Sequence, residues 1–138
     1  MPEPQPSRGA ARAPEPTEGP SLTFDIADQI RQLRQEHYWQ SGRNSKTIVK
    51  YPDFRIVLTA IKANTTIHEH HSAGRISVQT VEGRIRMHAD GKEFDLPAGH
   101  LLVLDRAMPH DVVAIEDSAF LLTVAWPEGE GHLSLIHI

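Results

Sequence analysis

Short apolar stretches separated by turn residues make up the chain from residue 47 to residue 126. Each is short enough for one β-strand, and glycine, proline, asparagine or aspartate stands between many of them. The stretches are Thr47 to Val49, Phe54 to Ile61, Ile76 to Val81, Arg84 to His88, Glu93 to Leu96, Leu101 to Leu104, Val112 to Ile115 and Phe120 to Trp126. Strands at this spacing predict an all-β sandwich or barrel.

The alternation of apolar and polar residues is clearest between Arg84 and His88. Ile85 and Met87 share one face of this predicted strand, and the polar residues, His88 included, lie on the other. The Asp90-Gly91 pair that follows predicts a two-residue hairpin turn, because both positions of such a turn need a positive φ. We therefore expect a hairpin here, with His88 on its outer side.

One amphipathic helix is predicted before the strands, over about residues 25 to 37. Ile26, Ile30 and Leu33 recur at a spacing of three to four residues, and Asp25 or Thr23 is suited to cap the first free amides. Helical periodicity is missing after residue 40, which excludes an alternating α/β fold.

The chain divides into four segments by composition. Residues 1–20 are rich in proline and offer little to bury, so they predict a disordered arm. Residues 21–46 are the predicted helix and its connection, and residues 47–127 are the predicted barrel. Residues 128–138 form a tail whose last six residues, LSLIHI, resemble translated sequencing-adapter read-through, so we expect its end to be non-native.

Composition narrows the classes of function. With 138 residues, 39% of them hydrophobic, the chain can bury one core. Cysteine is absent, which excludes disulfides and thiolate metal sites. The formal charge of −4, from 14 basic and 18 acidic residues, gives no basic surface for nucleic acid. Neither a membrane span nor a secretory signal is visible, so we expect a soluble, cytoplasmic protein without nucleic-acid or membrane partners.

Histidine is the residue type that points to chemistry. The sequence contains nine, and two places in the β region concentrate them: residues 68–71 and Pro109-His110. Residues two apart on a strand point to the same side, so a His-x-His pair can chelate one cation while a third histidine enters from another strand. Three imidazoles suit Zn, Fe, Ni or Cu better than Mg or Ca.

These stretches resemble the two motifs of the cupin superfamily. The first is HEHHSAGRISVQTVEGRIRM (68–87), with Gly83 as the hairpin glycine, and the second is LPAGHLLVLDRAMPHDV (96–112), with His110 at its histidine. The resemblance covers about residues 47 to 126. It implies a small single-domain cupin, a jelly-roll β-barrel preceded by one short helix, with one divalent transition metal (Zn, Fe, Ni, Mn or Cu) as its expected cofactor or none.

The resemblance leaves the set of metal ligands open. The motif's glutamate falls at Ile76, and counting from Gly83 puts Glu69 and His71 at the His-x-His positions, whereas the literal His-x-His is His68 and His70. A bulge near the turn would change which pair faces inward. The preferred inward set is Glu69, His71 and His110, and His68 and His70 are kept as candidates.

Two further side chains are candidates for the ligand pocket. Arg75 is the arginine best placed to meet an anionic ligand at the barrel mouth, and Gln79 is a polar residue in an apolar strand. The first hypothesis is a small-molecule-binding barrel that holds a metal; an enzyme of this kind would be a metal-dependent dioxygenase or isomerase. The alternative is a metal-free sensor or regulatory module without catalysis. A homodimer is expected in either case.

Overall fold

The computed structural model describes residues 15–70, 73–106 and 108–126, without the side chains of residues 69 and 70. Within these residues one α-helix and a 3₁₀ turn precede nine antiparallel strands. The elements are α1 Ile26–Gln35, the 3₁₀ turn His37–Ser41, β1 Arg43–Tyr51, β2 Phe54–Ile61, β3 Thr66–His70, β4 Arg75–Glu82, β5 Arg84–Ala89, β6 Lys92–Pro97, β7 Leu101–Leu104, β8 His110–Ala114 and β9 Ser118–Ala125. The predicted all-β fold with one N-terminal helix is confirmed.

The strands form two sheets. The five-stranded sheet has the order β1-β2-β9-β4-β7, and the four-stranded sheet has the order β3-β8-β5-β6. The main apolar core draws on strands of both sheets and includes Val57, Ile85, Met87 and Phe120, each at most 6% exposed. Such a two-sheet arrangement closes around side chains that alternate inward along every strand.

Helix α1 covers the outer face of the five-stranded sheet. The Asp25 carboxylate caps it by accepting a hydrogen bond from the Asp28 amide at 3.0 Å. Ile30 and Leu33, each 1% exposed, pack with Leu58 and other outward residues of β1 and β2 in a second apolar cluster. Because of the helix, β2 buries apolar side chains on both of its faces.

Strand pairing and short connections bring the ends of several strands to one end of the barrel. Pairing sets the start of β2 beside the end of β9, and the end of β9 beside the start of β4. The connections β3–β4 and β7–β8 span few residues, so the end of β3 and the start of β8 lie at that end as well. We call it the His110 end, after the first residue of β8.

The predicted turns and alternation are present. Asp90 and Gly91 have φ values of 54° and 69° and close the β5–β6 hairpin, where Ala89 pairs with Lys92. Gly83, with φ 77°, joins β4 to β5 as the motif suggested. Ile85 and Met87 are fully buried, and His88 is exposed.

The structure differs from the sequence-based segmentation near the N-terminus. Strand β1 begins at Arg43, inside the predicted connection. Residues 15–20, part of the predicted disordered arm, run along β1: the Lys50 amide donates to the Thr17 carbonyl at 2.8 Å, and the Tyr51 hydroxyl donates to the Gly19 carbonyl at 2.5 Å. The first bond satisfies a backbone amide at the free edge of β1, which lacks a neighbouring strand on that side, and the second ties the arm to the strand through a side chain.

The remaining predictions for the arm and the tail fall on residues 1–14 and 127–138, which lie outside the described residues. In the part of the chain that the structure describes, no helix has the length and apolar character needed to cross a membrane.

Candidate binding site at the His110 end

His110 is the histidine that the fold places inside the barrel. It is 7% exposed and shares the buried face of β8 with Val112 and Ala114. Its Nδ1 atom lies 3.0 Å from the carbonyl oxygen of Met108. A carbonyl only accepts hydrogen bonds, so this contact requires the proton on Nδ1 and leaves the lone pair on Nε2. His110 therefore offers one nitrogen ligand or hydrogen-bond acceptor.

The end of β3 contains a β-bulge, the irregularity expected to change which pair of candidate ligands faces inward. Ile67 pairs with Val112, and the next pair along the two strands is His70 with His110. Three residues of β3 thus advance against two of β8, which is the count of a β-bulge. The backbone of His70, and not that of Glu69, lies opposite His110.

The other histidine-cluster candidates are placed only in part. His68 is exposed. The side chains of Glu69 and His70, and the whole of His71, lie outside the described residues, so their assignment as ligands stays a prediction. No three histidine, aspartate or glutamate side chains gather into a possible metal site in the described parts of the chain.

The inner face of β4 presents Ile76, Val78 and the buried hydroxyl of Thr80, and it carries no histidine or carboxylate. Ile76, at the position of the motif's glutamate, is 5% exposed and belongs to the main core. Arg75 and Gln79 alternate with it onto the outer side, and both are exposed. Arg75 donates from Nε to Asp105 at 3.0 Å, so its charge is balanced at the surface. The structure thus brings neither side chain into the buried interior.

The described interior offers too few ligands for a metal. His110 Nε2 is one suitable donor, and a structural or catalytic transition-metal site needs at least three protein ligands. The described side chains alone therefore do not fit a transition metal.

Arg55 is an inward charge that the sequence reasoning missed. It alternates along β2 with Val57 and Ile61, both of which belong to the main core. Its position pairs with Val124 of β9, near the His110 end. The sequence does contain an indication of this position: Arg55 lies on the same face of the strand as Val57, Thr59 and Ile61.

Trp126 holds the guanidinium of Arg55. The Arg55 Cζ atom lies 5.3 Å from the centroid of the Trp126 ring, a cation–π distance. Trp126 is 5% exposed and part of the main core. Arg55 Nε and Trp126 Nε1 are both buried, and neither has a hydrogen-bond partner among the described residues.

Three polar groups therefore lie toward the same end of the barrel. Arg55 contributes a permanent cation, Trp126 a neutral N–H donor, and His110 a nitrogen lone pair. Met108, two residues before His110, is partly buried and packs against the main core. This arrangement can hold a polar group of a ligand whose remaining surface is apolar.

A separate groove of about 710 Å³ lies on the outer surface beside the β5–β6 hairpin. It is lined in part by His88, Glu93 and Asp111. His88 Nδ1 lies 2.8 Å from Asp111 Oδ1, and His88 Nε2 lies 3.7 Å from Glu93 Oε2. These contacts lie on the outer face of the sheet, opposite to the face that carries His110.

Comparison with known proteins gives similarity at the level of structure alone. No family model matches the chain, and no protein of curated function matches it in sequence. A conserved protein of unknown function from Streptococcus pyogenes is 23% identical, with a TM-score of 0.65 over 86% of this chain and 99% of its own. A cupin superfamily protein from Desulfitobacterium hafniense is 14% identical, with a TM-score of 0.59 over 62% of this chain and 78% of its own.

A longer protein is also similar. Salicylate 1,2-dioxygenase from Pseudoaminobacter salicylatoxidans, in complex with gentisate, is 15% identical, with a TM-score of 0.64. The match covers 75% of this chain and 32% of the dioxygenase, so this chain corresponds to about a third of that protein. Together with the two-sheet topology, these similarities show that the chain has the cupin fold.

Proposed function

We propose that this protein binds a small molecule inside the barrel at the His110 end. The observation that carries the proposal is the pair of buried, unpartnered nitrogen atoms, Arg55 Nε and Trp126 Nε1. Leaving a buried donor unsatisfied costs about 1–3 kcal/mol, and more for a charged group. A bound molecule that accepts these hydrogen bonds recovers that cost. The dioxygenase with the same fold, solved with gentisate, supports a small ligand in such a barrel.

In the first form of this proposal the site also holds one divalent transition metal. His110 Nε2 would be one ligand, and Glu69, His70 or His71 would supply the others. The free lone pair of His110 and the backbone pairing of His70 with His110 support it. A metal bound there would act as a Lewis acid or bind oxygen, as a dioxygenase or isomerase requires.

The second form is a metal-free sensor or regulatory module. The buried, apolar Ile76 at the position of the motif's glutamate favours it, because the fourth donor expected from the resemblance is missing. Ligand binding would then rest on the polar groups of the chain itself.

Plasma mass spectrometry on the untagged full chain, before and after dialysis against chelator, separates the two forms. Close to one transition metal per chain is expected for the first, with loss of that metal in His110→Ala. His88→Ala is the matched control, since His88 is exposed on the adjacent strand β5. A metal-free chain whose unfolding temperature is insensitive to chelator would establish the second form.

The homodimer is likewise a proposal. Leu101 and Val103 are 58% and 63% exposed on the outer face of the edge strand β7, and their burial would stabilise a pair of chains. Sedimentation equilibrium tests this: Leu101→Asp should weaken a dimer, and a monomer in the wild-type chain at micromolar concentration would refute it.

A further inference from the structure

The geometry points to a small monocarboxylate with an apolar body as the ligand, held by Arg55 with the Trp126 N–H as a second donor. This inference rests on the proposed binding function and adds the chemical class of the ligand. Its first support is the missing counter-charge. Among the described residues, Arg55 has no ion pair, whereas Arg75 pairs with Asp105 and Arg86 pairs with Glu93.

The second support is burial. The side chain of Arg55 as a whole is half-buried. Its Nε is buried, and its guanidinium is stacked on a ring that is itself almost fully buried. A buried N–H group without an acceptor is costly, and an anion that accepts its hydrogen bond removes that cost.

The third support is the match of shape and charge. The guanidinium is a planar fork of N–H donors that fits the two oxygens of a carboxylate. Arg43, the other inward arginine whose guanidinium has a buried nitrogen without a described partner, pairs with Ile61 at the far end of β2, so Arg55 is the arginine at this end. One such cation balances one negative charge, which favours a carboxylate over a phosphate dianion. The Trp126 N–H can only donate, so it also requires an acceptor such as a carboxylate oxygen.

The fourth support is the surroundings of these groups. Val57, Val124 and Ile76 are among the core residues at or near this end of the barrel, and each is at most 6% exposed. Such walls cannot solvate a strongly polar body, so the rest of the ligand should be aliphatic or aromatic.

Fluorescence of Trp126 provides a direct readout. The chain has two tryptophans, so Trp39→Phe leaves Trp126 as the reporter. Benzoate and its neutral isostere benzamide are titrated at constant ionic strength, with and without chelator, and calorimetry repeats the measurement in the unmodified chain. We expect benzoate to bind about tenfold to a hundredfold more tightly than benzamide, the range of one charge-assisted hydrogen-bonded contact. Inorganic phosphate should bind more weakly than benzoate.

Variants assign the preference to its residues. Arg55→Gln should abolish the difference between benzoate and benzamide, and Arg55→Lys should retain part of it. Trp126→Phe, followed by calorimetry, should weaken benzoate severalfold. The matched control is Arg86→Gln, which removes an arginine of the outer face that pairs with Glu93. Thermal unfolding of every variant identifies any that fails to fold, and Arg55→Lys then serves in place of Arg55→Gln.

The possible outcomes distinguish failure of the carboxylate inference from failure of the proposed small-molecule binding. Equal binding of benzoate and benzamide by the wild-type chain would overturn the carboxylate inference and leave a small-molecule site. Preferential benzoate binding that survives Arg55→Gln would overturn the role of Arg55. Binding of neither probe would overturn the inference and contradict the proposed function.

Discussion

The Nδ1 atom of His110 lies 3.0 Å from the carbonyl oxygen of Met108, two residues before it in the chain. This contact predicts that the neutral imidazole of His110 carries its proton on Nδ1. Long-range ¹H–¹⁵N spectra of the imidazole rings, recorded where histidine is neutral, distinguish the two tautomers. The exposed His100 is the internal comparison and should show the mixture of a solvated ring. A protonated Nε2 at His110 would contradict the assignment and remove its use as a ligand in the described geometry.

Gly83 and Gly91 form a matched pair for a second prediction. Both have positive φ, 77° and 69°, so alanine is strained at either position. A Cβ at Gly83 would also overlap the Asp117 carbonyl and the Ser118 hydroxyl, whereas a Cβ at Gly91 has nothing within 4 Å. Gly91→Ala should cost about 1 kcal/mol of unfolding free energy and Gly83→Ala about 3 kcal/mol or more. Urea denaturation measures both, and equal losses would refute the close approach at Gly83.

The surface pairs around Asp95 and Asp105 predict a difference in how two carboxyl groups titrate. The hydrogen bond from the Arg84 side chain, Nε to Oδ1 at 2.8 Å, is the main cause that lowers the pKa of Asp95. For Asp105 the backbone amide of Arg106 is the main cause of the lowered pKa, and Arg75 comes second. Arg84→Gln should therefore return the pKa of Asp95 most of the way to its ordinary value, and Arg75→Gln should leave the pKa of Asp105 partly lowered. Carboxyl ¹³C titration measures both.

The sign of the accompanying change in stability follows from these directions. A carboxyl group whose pKa is lower in the folded chain contributes stability above its unfolded pKa of about 4, and that contribution is lost as the pH falls through the folded pKa. Arg84→Gln should flatten this loss in acid, with no change in the slope of stability against pH near neutrality. An unaltered acid slope in the variant would argue against the Arg84–Asp95 pair.

Much of the fold follows from local patterns that the rest of the molecule did not override. Alternation placed Ile85 and Met87 in the core and His88 outside it, and the Asp90-Gly91 pair specified its hairpin because few other residues adopt two positive φ values in succession. The motif around Pro109 likewise placed His110 inside, since a strand that begins there has one apolar face. In each case the residues of one short segment are enough to predict its structure.

The site itself depended on which elements pack together. Both faces of β2 are apolar, because helix α1 covers Leu58 and Ala60 on one side while Val57 and Ile61 face the barrel on the other. A sequence with two apolar faces does not say which one lines the barrel, so Arg55 could not be assigned to the interior before the helix was placed.

The bulge in β3 is a second feature that only the tertiary structure determines. Sequence counting left the pairs Glu69 with His71 and His68 with His70 open, because shifting a strand by one residue exchanges its two faces. The pairing of β3 with β8 set the backbone of His70 opposite His110. The sequence by itself thus predicted eight of the nine described strands, with β3 as the exception, together with the Asp90-Gly91 turn and one inward histidine. The packing of α1 and the register between β3 and β8 decided which polar residues meet at the end of the barrel, because these are long-range contacts that no local pattern encodes.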